Sequence, residues 1–144
     1  MNRPEVAQVL PEWTIEMTAT RIVAGAVATR DFMPVHHDRD YAQAQGASDI
    51  FMNILSTNAY CSRYLTDWAG PDAFVRRLSL RLGVPVFPGS TLTFTGSVTA
   101  VETAGDDTTV EVEFRAANAL GNHASGTAVL ALGPTPSPGD TQTP

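Results

Sequence analysis

The chain contains no lysine, so all nine of its basic residues are arginines. Schiff-base chemistry on a lysine is therefore excluded, and a phosphate group would have to be bound by arginine side chains, backbone amides or a helix N-terminus. A single cysteine, Cys61, excludes an intramolecular disulfide and is typical of a reducing compartment. The first residues also lack the features of a secretory signal, so we expect a cytoplasmic protein.

Long apolar runs and a positive charge balance are missing too. No apolar run approaches the roughly 20 residues that span a bilayer, so no membrane partner is expected. The net charge of -6 is unfavourable for binding nucleic acid. The length of 144 residues and the hydrophobic fraction of 43% fit one globular domain. We expect this domain to cover residues 1–132, and residues 133–144, rich in Pro, Gly, Ser and Thr, to be a disordered tail.

Hydrophobic periodicity predicts one long helix followed by a run of strands. The helix is predicted from Asp49 to Trp68, with Ser48 or Asp49 as its N-cap, and Gly70 ends it. Alternation of apolar and polar residues predicts four strands after the helix, at 77–82, 91–101, 109–115 and 124–132. Before the helix, the predictions are a strand at 13–20, extended chain at 22–29 and a short helical turn at 39–45. This order of elements predicts an α+β domain, although spacing alone permits several layouts.

The most informative segment is residues 28–38, Ala-Thr-Arg-Asp-Phe-Met-Pro-Val-His-His-Asp. Asp31 and His36 lie on either side of Pro34, which removes a backbone donor and disfavours a regular helix. We therefore expect a bent loop that can turn the carboxyl group and the imidazole toward one point, as acid–base chemistry on one water molecule requires. No second cluster of metal-ligating residues accompanies the segment, so no metal site is predicted.

This segment resembles the hydratase motif of the MaoC-like, hotdog-fold enoyl-CoA hydratases, in which an Asp and a His flank an Asn-Pro-aliphatic core. Residues 81–92 resemble a second stretch of that family, Arg-x-x-x-Pro-Val-x-Pro-Gly-Asp-Thr-Leu. The resemblance implies a single hotdog fold, with a curved antiparallel sheet wrapped around one long central helix. It also implies that Asp31 and His36 are the catalytic pair of a hydro-lyase. Such an enzyme adds water across the 2,3-double bond of an acyl-CoA and needs no cofactor besides the substrate's own CoA thioester.

Three further stretches, residues 30–40, 49–55 and 66–71, are similar to the small subunits of heteromeric steroid enoyl-CoA hydratases of cholesterol side-chain degradation. This narrower resemblance implies a steroid side-chain thioester as substrate. It also implies a second hotdog subunit, in a heterodimer or heterotetramer, that helps to bind CoA. Two alternatives stay open. The chain could be a non-catalytic acyl-CoA-binding partner subunit of a heteromeric hotdog complex, or it could be a hotdog thioesterase.

The chain departs from the family pattern in three places. The usual Gly before the catalytic Asp is Arg30, the usual Asn two residues after it is Met33, and the usual His-Gly at the start of the long helix is replaced by residues 50–51. The loss of the Asn removes a side chain that could fix the loop or the attacking water. These changes argue against a standard hydratase that acts on short-chain enoyl-CoA substrates.

The remaining candidate site residues lie at the start of the predicted helix or are arginines. We expect the amide that stabilises the enolate oxygen of the thioester to come from Phe51 or Met52, because a backbone donor survives a change of side chain. Asn53 is a candidate ligand contact, since Asn is a weak helix former. Arg81 is a candidate contact to the CoA phosphates. His123, in a predicted turn, is expected to be exposed.

Overall fold

One antiparallel sheet of five strands packs against one long helix in the computed structural model, which describes residues 4–105 and 107–133. The elements in chain order are β1 (Trp13–Met17), α1 (Ala19–Ala28), a short 3-10 turn (Pro34–His36), α2 (Arg39–Ala44), α3 (Ile54–Ala69), β2 (Phe74–Leu82), β3 (Ser90–Ala104), β4 (Asp107–Asn118) and β5 (Gly121–Leu132). The strand order is β1-β3-β4-β5-β2, and all four pairings are antiparallel. The predicted α+β class is confirmed.

The core lies between the sheet and α3. Strand β4 shows the predicted alternation, since Val110, Val112 and Phe114 are buried while the residues between them are exposed. Phe94 of β3 is fully buried and packs its ring near two other aromatic rings. Its ring centroid lies 4.9 Å from that of Trp13 in β1 and 5.6 Å from that of Tyr64 in α3. The contact between Tyr64 and Phe94 holds α3 against β3.

The segment predicted as extended chain over 22–29 is helical, so that prediction was wrong. Strand β1 ends at Met17, and the side chain of Thr18 accepts a hydrogen bond from the backbone N–H of Arg21 as the N-cap of α1. Ile22 and Ala26, four residues apart, are both buried. Small apolar residues are compatible with a strand or a helix. Here the packing of the face that carries Ile22 and Ala26 stabilises the helix.

Helix α3 begins at Ile54, five residues later than predicted, with Asn53 as its N-cap. The residues before it keep a non-helical path because their amides bind distant carbonyls. The N–H of Phe51 donates to the carbonyl oxygen of Val35, and the N–H of Met52 donates to that of Val86. The end of the helix was predicted correctly, since Gly70 follows Ala69 with a positive φ of 95°.

The four strands predicted after the helix are all present, each extended by a few residues. Strand β2 lies at one edge of the sheet and exposes Phe74 and Leu82. The tail predicted as disordered lies outside the described residues except for Gly133, so that prediction stays untested. Across the described ranges, no helix is both long and apolar enough to cross a membrane.

Candidate active site

A backbone cap at the end of α1 holds Asp31 in place. Arg30 adopts a left-handed conformation with φ of 57°. Its N–H donates to the carbonyl of Val27 at 3.1 Å, and the N–H of Asp31 donates to that of Ala26 at 2.9 Å. These two bonds form a Schellman motif, which favours glycine at the left-handed residue. A glycine at this position, as in the hydratase motif, would meet this requirement without strain, and this chain meets it with Arg30.

His36 lies on the 3-10 turn with its side chain only 10% exposed. Its Nδ1 is 2.7 Å from the carbonyl oxygen of Phe51, and the two rings pack edge to face. Because a carbonyl oxygen only accepts hydrogen bonds, Nδ1 must carry a proton and donate. In the neutral ring, Nε2 is therefore a free proton acceptor. It lies 3.4 Å from Oδ2 of Asp31, so the structure brings the two predicted dyad residues together.

The side chain of Asn53 connects Asp31 to the start of α3. Its Nδ2 donates to Oδ2 of Asp31 at 3.0 Å and to Oγ1 of Thr29 at 2.9 Å, while its Oδ1 accepts from the backbone N–H of Ser56 at 3.1 Å. The hydrogen bond from Asn53 is the main reason why the pKa of the Asp31 carboxyl group lies below its ordinary value. Burial opposes this effect in part, and His36 adds to it.

The peptide N–H groups just before α3 determine where a negative oxygen could bind. Those of Phe51 and Met52, the two predicted enolate donors, are already bonded to carbonyl oxygens. The N–H of Asn53 has no acceptor among the residues that the structure describes, although Asn53 is only 2% exposed. A buried unpaired amide is rare in proteins, and the dipole of α3 favours an anion there. The structure therefore favours Asn53 over Phe51 and Met52, because the helix starts later than its sequence suggested.

Arg81 is not part of this group. In the sheet register it pairs with Ser125, which pairs in turn with Arg115. Arg115 belongs to the exposed face of β4, so all three residues lie on the face of the sheet that points away from α3, where they line an open groove. A contact between Arg81 and CoA phosphates stays a prediction.

His123 is buried rather than exposed, so the sequence prediction for this residue was wrong. The chain turns at residues 119–120, and His123 points inward at the start of β5. Its Nδ1 is 2.7 Å from the carbonyl oxygen of Val84, and its Nε2 is 2.9 Å from Oγ1 of Thr57 in α3. Burial lowers the pKa of this imidazole. Within residues 4–105 and 107–133, no group of three or more His, Cys, Asp or Glu side chains is arranged to hold a metal ion.

Exposed apolar side chains directly follow Asp31 and Asn53 in the sequence. Phe32 and Met33, directly after Asp31, are 65% and 51% exposed. Ile54 and Leu55, directly after Asn53, are 50% and 46% exposed. We call these four residues the apolar rim. Large side chains of this kind are exposed in groups mainly where a ligand or a partner binds.

Comparison with known proteins identifies the family. A family model described as a MaoC like domain matches residues 4–119, well over half of the chain. The chain belongs to the MaoC-like domain family. It is also 48% identical over 127 residues to the beta subunit of 3-oxo-4,17-pregnadiene-20-carboxyl-CoA hydratase of Mycobacterium tuberculosis (strain ATCC 25618 / H37Rv), covering 88% of this chain and 95% of that protein. The predicted family and the predicted hydro-lyase class are confirmed.

Solved structures of other MaoC-like proteins show the same fold. The crystal structure of the ChsH1-ChsH2 complex from M. tuberculosis matches with a TM-score of 0.84 and 47% identity, over 89% of this chain and 98% of that chain. The (R)-hydratase from A. caviae involved in PHA biosynthesis matches with a TM-score of 0.81 and 23% identity, over 92% and 99%. At the lower identity the likeness concerns the fold alone. The predicted hotdog fold is confirmed.

Proposed function

We propose that this MaoC-like chain is the catalytic subunit of an enoyl-CoA hydratase that adds water across the 2,3-double bond of a steroid side-chain enoyl-CoA. The observation that carries the proposal is a pair of proton acceptors, the Asp31 carboxylate and Nε2 of His36, at 3.4 Å from each other. A water molecule can donate one hydrogen to each acceptor, and its lone pairs then stay free to attack Cβ of the substrate. The similarity to a hydratase subunit of M. tuberculosis supports the same reaction.

The proposed mechanism assigns each proton to a group of the site. As the water oxygen bonds to Cβ, Nε2 of His36 takes one water proton, because Nδ1–H stays bonded to the carbonyl oxygen of Phe51. The Asp31 carboxylate stabilises the imidazolium that forms. Negative charge moves to the thioester oxygen, where the N–H of Asn53 and the dipole of α3 can stabilise it. Nε2 of His36 then gives its proton to Cα, so the imidazole is neutral again and the product is a 3-hydroxyacyl-CoA. No cofactor beyond the CoA thioester is required.

The proposed substrate and partner follow from the surfaces beside the site. The apolar rim is suited to a bulky apolar acyl group or to a second subunit that closes the site around it. The outer edge of strand β2 has no neighbouring strand among the described residues, and such an edge commonly pairs with another chain. The M. tuberculosis relative is named as a beta subunit, and the similar structure is a complex of two proteins. The proposal therefore includes a second MaoC-like subunit. It also includes a cytoplasmic location, which is supported by the single cysteine, a feature typical of a reducing compartment.

The experiment is mass spectrometry of a steroid enoyl-CoA and of a short-chain enoyl-CoA, each incubated with the purified chain alone and with a second MaoC-like subunit. We expect a gain of one water molecule on the steroid thioester. Asp31→Asn and His36→Ala should each lower the rate by about 10² to 10⁴, the usual contribution of acid–base groups. The matched control is Asp40→Asn, which removes the same charge from the exposed surface of α2 and should leave the rate unchanged.

Other outcomes would point to other functions. Release of free CoA thiol without hydration would identify a thioesterase. No mass change with either substrate, even beside a second subunit, would indicate a non-catalytic acyl-CoA-binding subunit. Near-full hydration by Asp31→Asn or His36→Ala would show that the dyad is assigned wrongly.

A further inference from the structure

We infer that Asn53 is the positioning residue that orients the Asp31 carboxylate, in place of the asparagine that the hydratase motif carries where this chain has Met33. The inference rests on the proposed function, because orientation of Asp31 matters for turnover only if Asp31 binds the water. Asn53 is 22 positions from Asp31 in sequence and belongs to another element. The start of α3 would thus supply the side-chain amide that the motif asparagine supplies from the loop.

Every polar group of the Asn53 side chain has a partner, so its orientation is unambiguous. Oδ1 accepts from the N–H of Ser56 in the first turn of α3. With the oxygen held there, both hydrogens of Nδ2 point toward the end of α1, one to Asp31 and one to Thr29. A rotated amide would place its oxygen against the Asp31 carboxylate and would leave the N–H of Ser56 without an acceptor. The helix cap therefore selects the donor orientation.

Thr29 is itself oriented as an acceptor for Asn53. Its hydroxyl donates to the carbonyl oxygen of Gly25 at 2.8 Å, within α1, so the lone pairs of Oγ1 are available to Nδ2 of Asn53. The second oxygen of the Asp31 carboxylate, Oδ1, lies 3.4 Å from the N–H of Met33. Both carboxylate oxygens are thus held by N–H donors, while Oδ2 also faces His36, the titratable group nearest to it. Rotation of the carboxylate away from His36 would break these bonds.

The test separates the orientation of Asp31 by Asn53 from the other role of Asn53, which is to cap helix α3. In Asn53→Asp, the new carboxylate is as good an N-cap as Asn, and its charge is favoured by the helix dipole. Its second oxygen, however, replaces the donor next to Asp31 by a like charge. We expect kcat to fall about 10²-fold, the scale for a misplaced catalytic group, with KM changed by less than about 2-fold. The acid limb of the pH–kcat profile should move to higher pH.

Two further variants complete the series. Asn53→Ser keeps a capping oxygen and adds no charge, so a similar loss of kcat in this variant excludes repulsion as the only cause. Asn58→Asp is the matched control, since Asn58 lies in the same helix and, among the described residues, its side chain bonds only to the carbonyl oxygen of Ile54. It makes the same charge change and should keep wild-type kcat. Because the new carboxylate is buried beside Asp31, the melting temperature of Asn53→Asp should fall, so kcat is measured well below that temperature. Near-wild-type kcat in both Asn53 variants would overturn the inference.

A measurement that does not depend on activity tests the contact between Asn53 and Asp31 separately from the proposed function. The pKa of Asp31 can be followed in the full chain by NMR titration of labelled aspartate carboxyl carbons. We expect this pKa to rise in Asn53→Ser and to stay unchanged in Asn58→Asp. An unchanged pKa in Asn53→Ser would refute the inferred contact, whatever the kinetics. If Asp31→Asn hydrates normally while the pKa does rise in Asn53→Ser, the assignment of Asp31 to the catalytic dyad fails and the contact stands.

Discussion

Replacement of Thr57 by valine should destabilise the fold through one buried hydrogen bond between α3 and β5. Thr57 is 1% exposed and His123 is 4% exposed. Because Nδ1 of His123 donates to the carbonyl oxygen of Val84, Nε2 of the neutral ring is an acceptor and needs a donor. Its partner in the structure is the Thr57 hydroxyl, at 2.9 Å. Valine has nearly the same shape but no hydroxyl, so Thr57→Val leaves a buried nitrogen without a donor.

The size of the effect follows from that unpaired group. A buried polar atom that loses its partner costs about 1–3 kcal/mol of unfolding free energy, and the similar volume of valine adds little cavity cost. A domain of this size loses roughly 2–4 °C of melting temperature per kcal/mol, so the expected decrease is about 2–12 °C. The Thr57 hydroxyl also lies 3.2 Å from the carbonyl oxygen of Asn53. That oxygen keeps a backbone donor, the N–H of Thr57, in the variant.

The assay is urea and thermal unfolding at pH 8, where His123 is neutral in the folded and in the unfolded chain. Thr66→Val is the matched control, because within the described part of the chain the hydroxyl of Thr66 bonds only to carbonyl oxygens of its own helix. We expect the control to stay within about 0.5 kcal/mol of the wild type, as is usual away from buried networks. If Thr57→Val lost no more stability than Thr66→Val, the Thr57 hydroxyl would not be the donor to His123 and the assigned tautomer would be wrong.

Two further predictions concern pH and backbone strain. Burial lowers the pKa of folded His123 below the ordinary 6.5, so the unfolded chain binds more protons below that pH and stability should fall as the pH drops through 6.5. Unfolding measured from pH 8 to pH 5 should show this decline, and His123→Gln should flatten it; an equal decline in the variant would assign it to other groups. Arg30→Gly should stabilise the chain by about 1 kcal/mol, since glycine adopts the left-handed conformation of Arg30 without strain. A lower melting temperature for Arg30→Gly would show that contacts of the arginine side chain outweigh the strain.

The predictions that held rest on signals that act over a few residues. Pro34 interrupts helical geometry between Asp31 and His36, and the structure has the expected bent loop there. The alternation over residues 109–115 predicts β4 correctly, because one face of a strand must be apolar to pack against the core. Gly70 ends α3 as predicted, since its positive φ is favourable for glycine. The resemblance to the MaoC-like hydratases added the hotdog fold, which spacing alone left open.

The predictions that failed depended on contacts between distant segments. Both Asp49 and Asn53 are suitable N-caps, and the carbonyl oxygens of Val35 and Val86 keep the intervening residues out of the helix. The earlier helix start also led to the prediction of Phe51 or Met52 as the enolate donor; their amides bind those same carbonyls, and the identity of the donor stays a prediction. No pattern near residue 123 could show that His123 is covered by α3.

By itself, the sequence determined where the chain bends, where helices can begin or end, and that one carboxyl group and one imidazole share a short loop. These features depend on proline, glycine and capping residues, whose preferences come from their own backbone geometry. The tertiary structure alone decided which cap starts α3, which tautomer His36 adopts and that Asn53 holds Asp31. Each of these depends on a hydrogen-bond partner at least 15 positions away, which the fold brings into contact and local sequence does not specify.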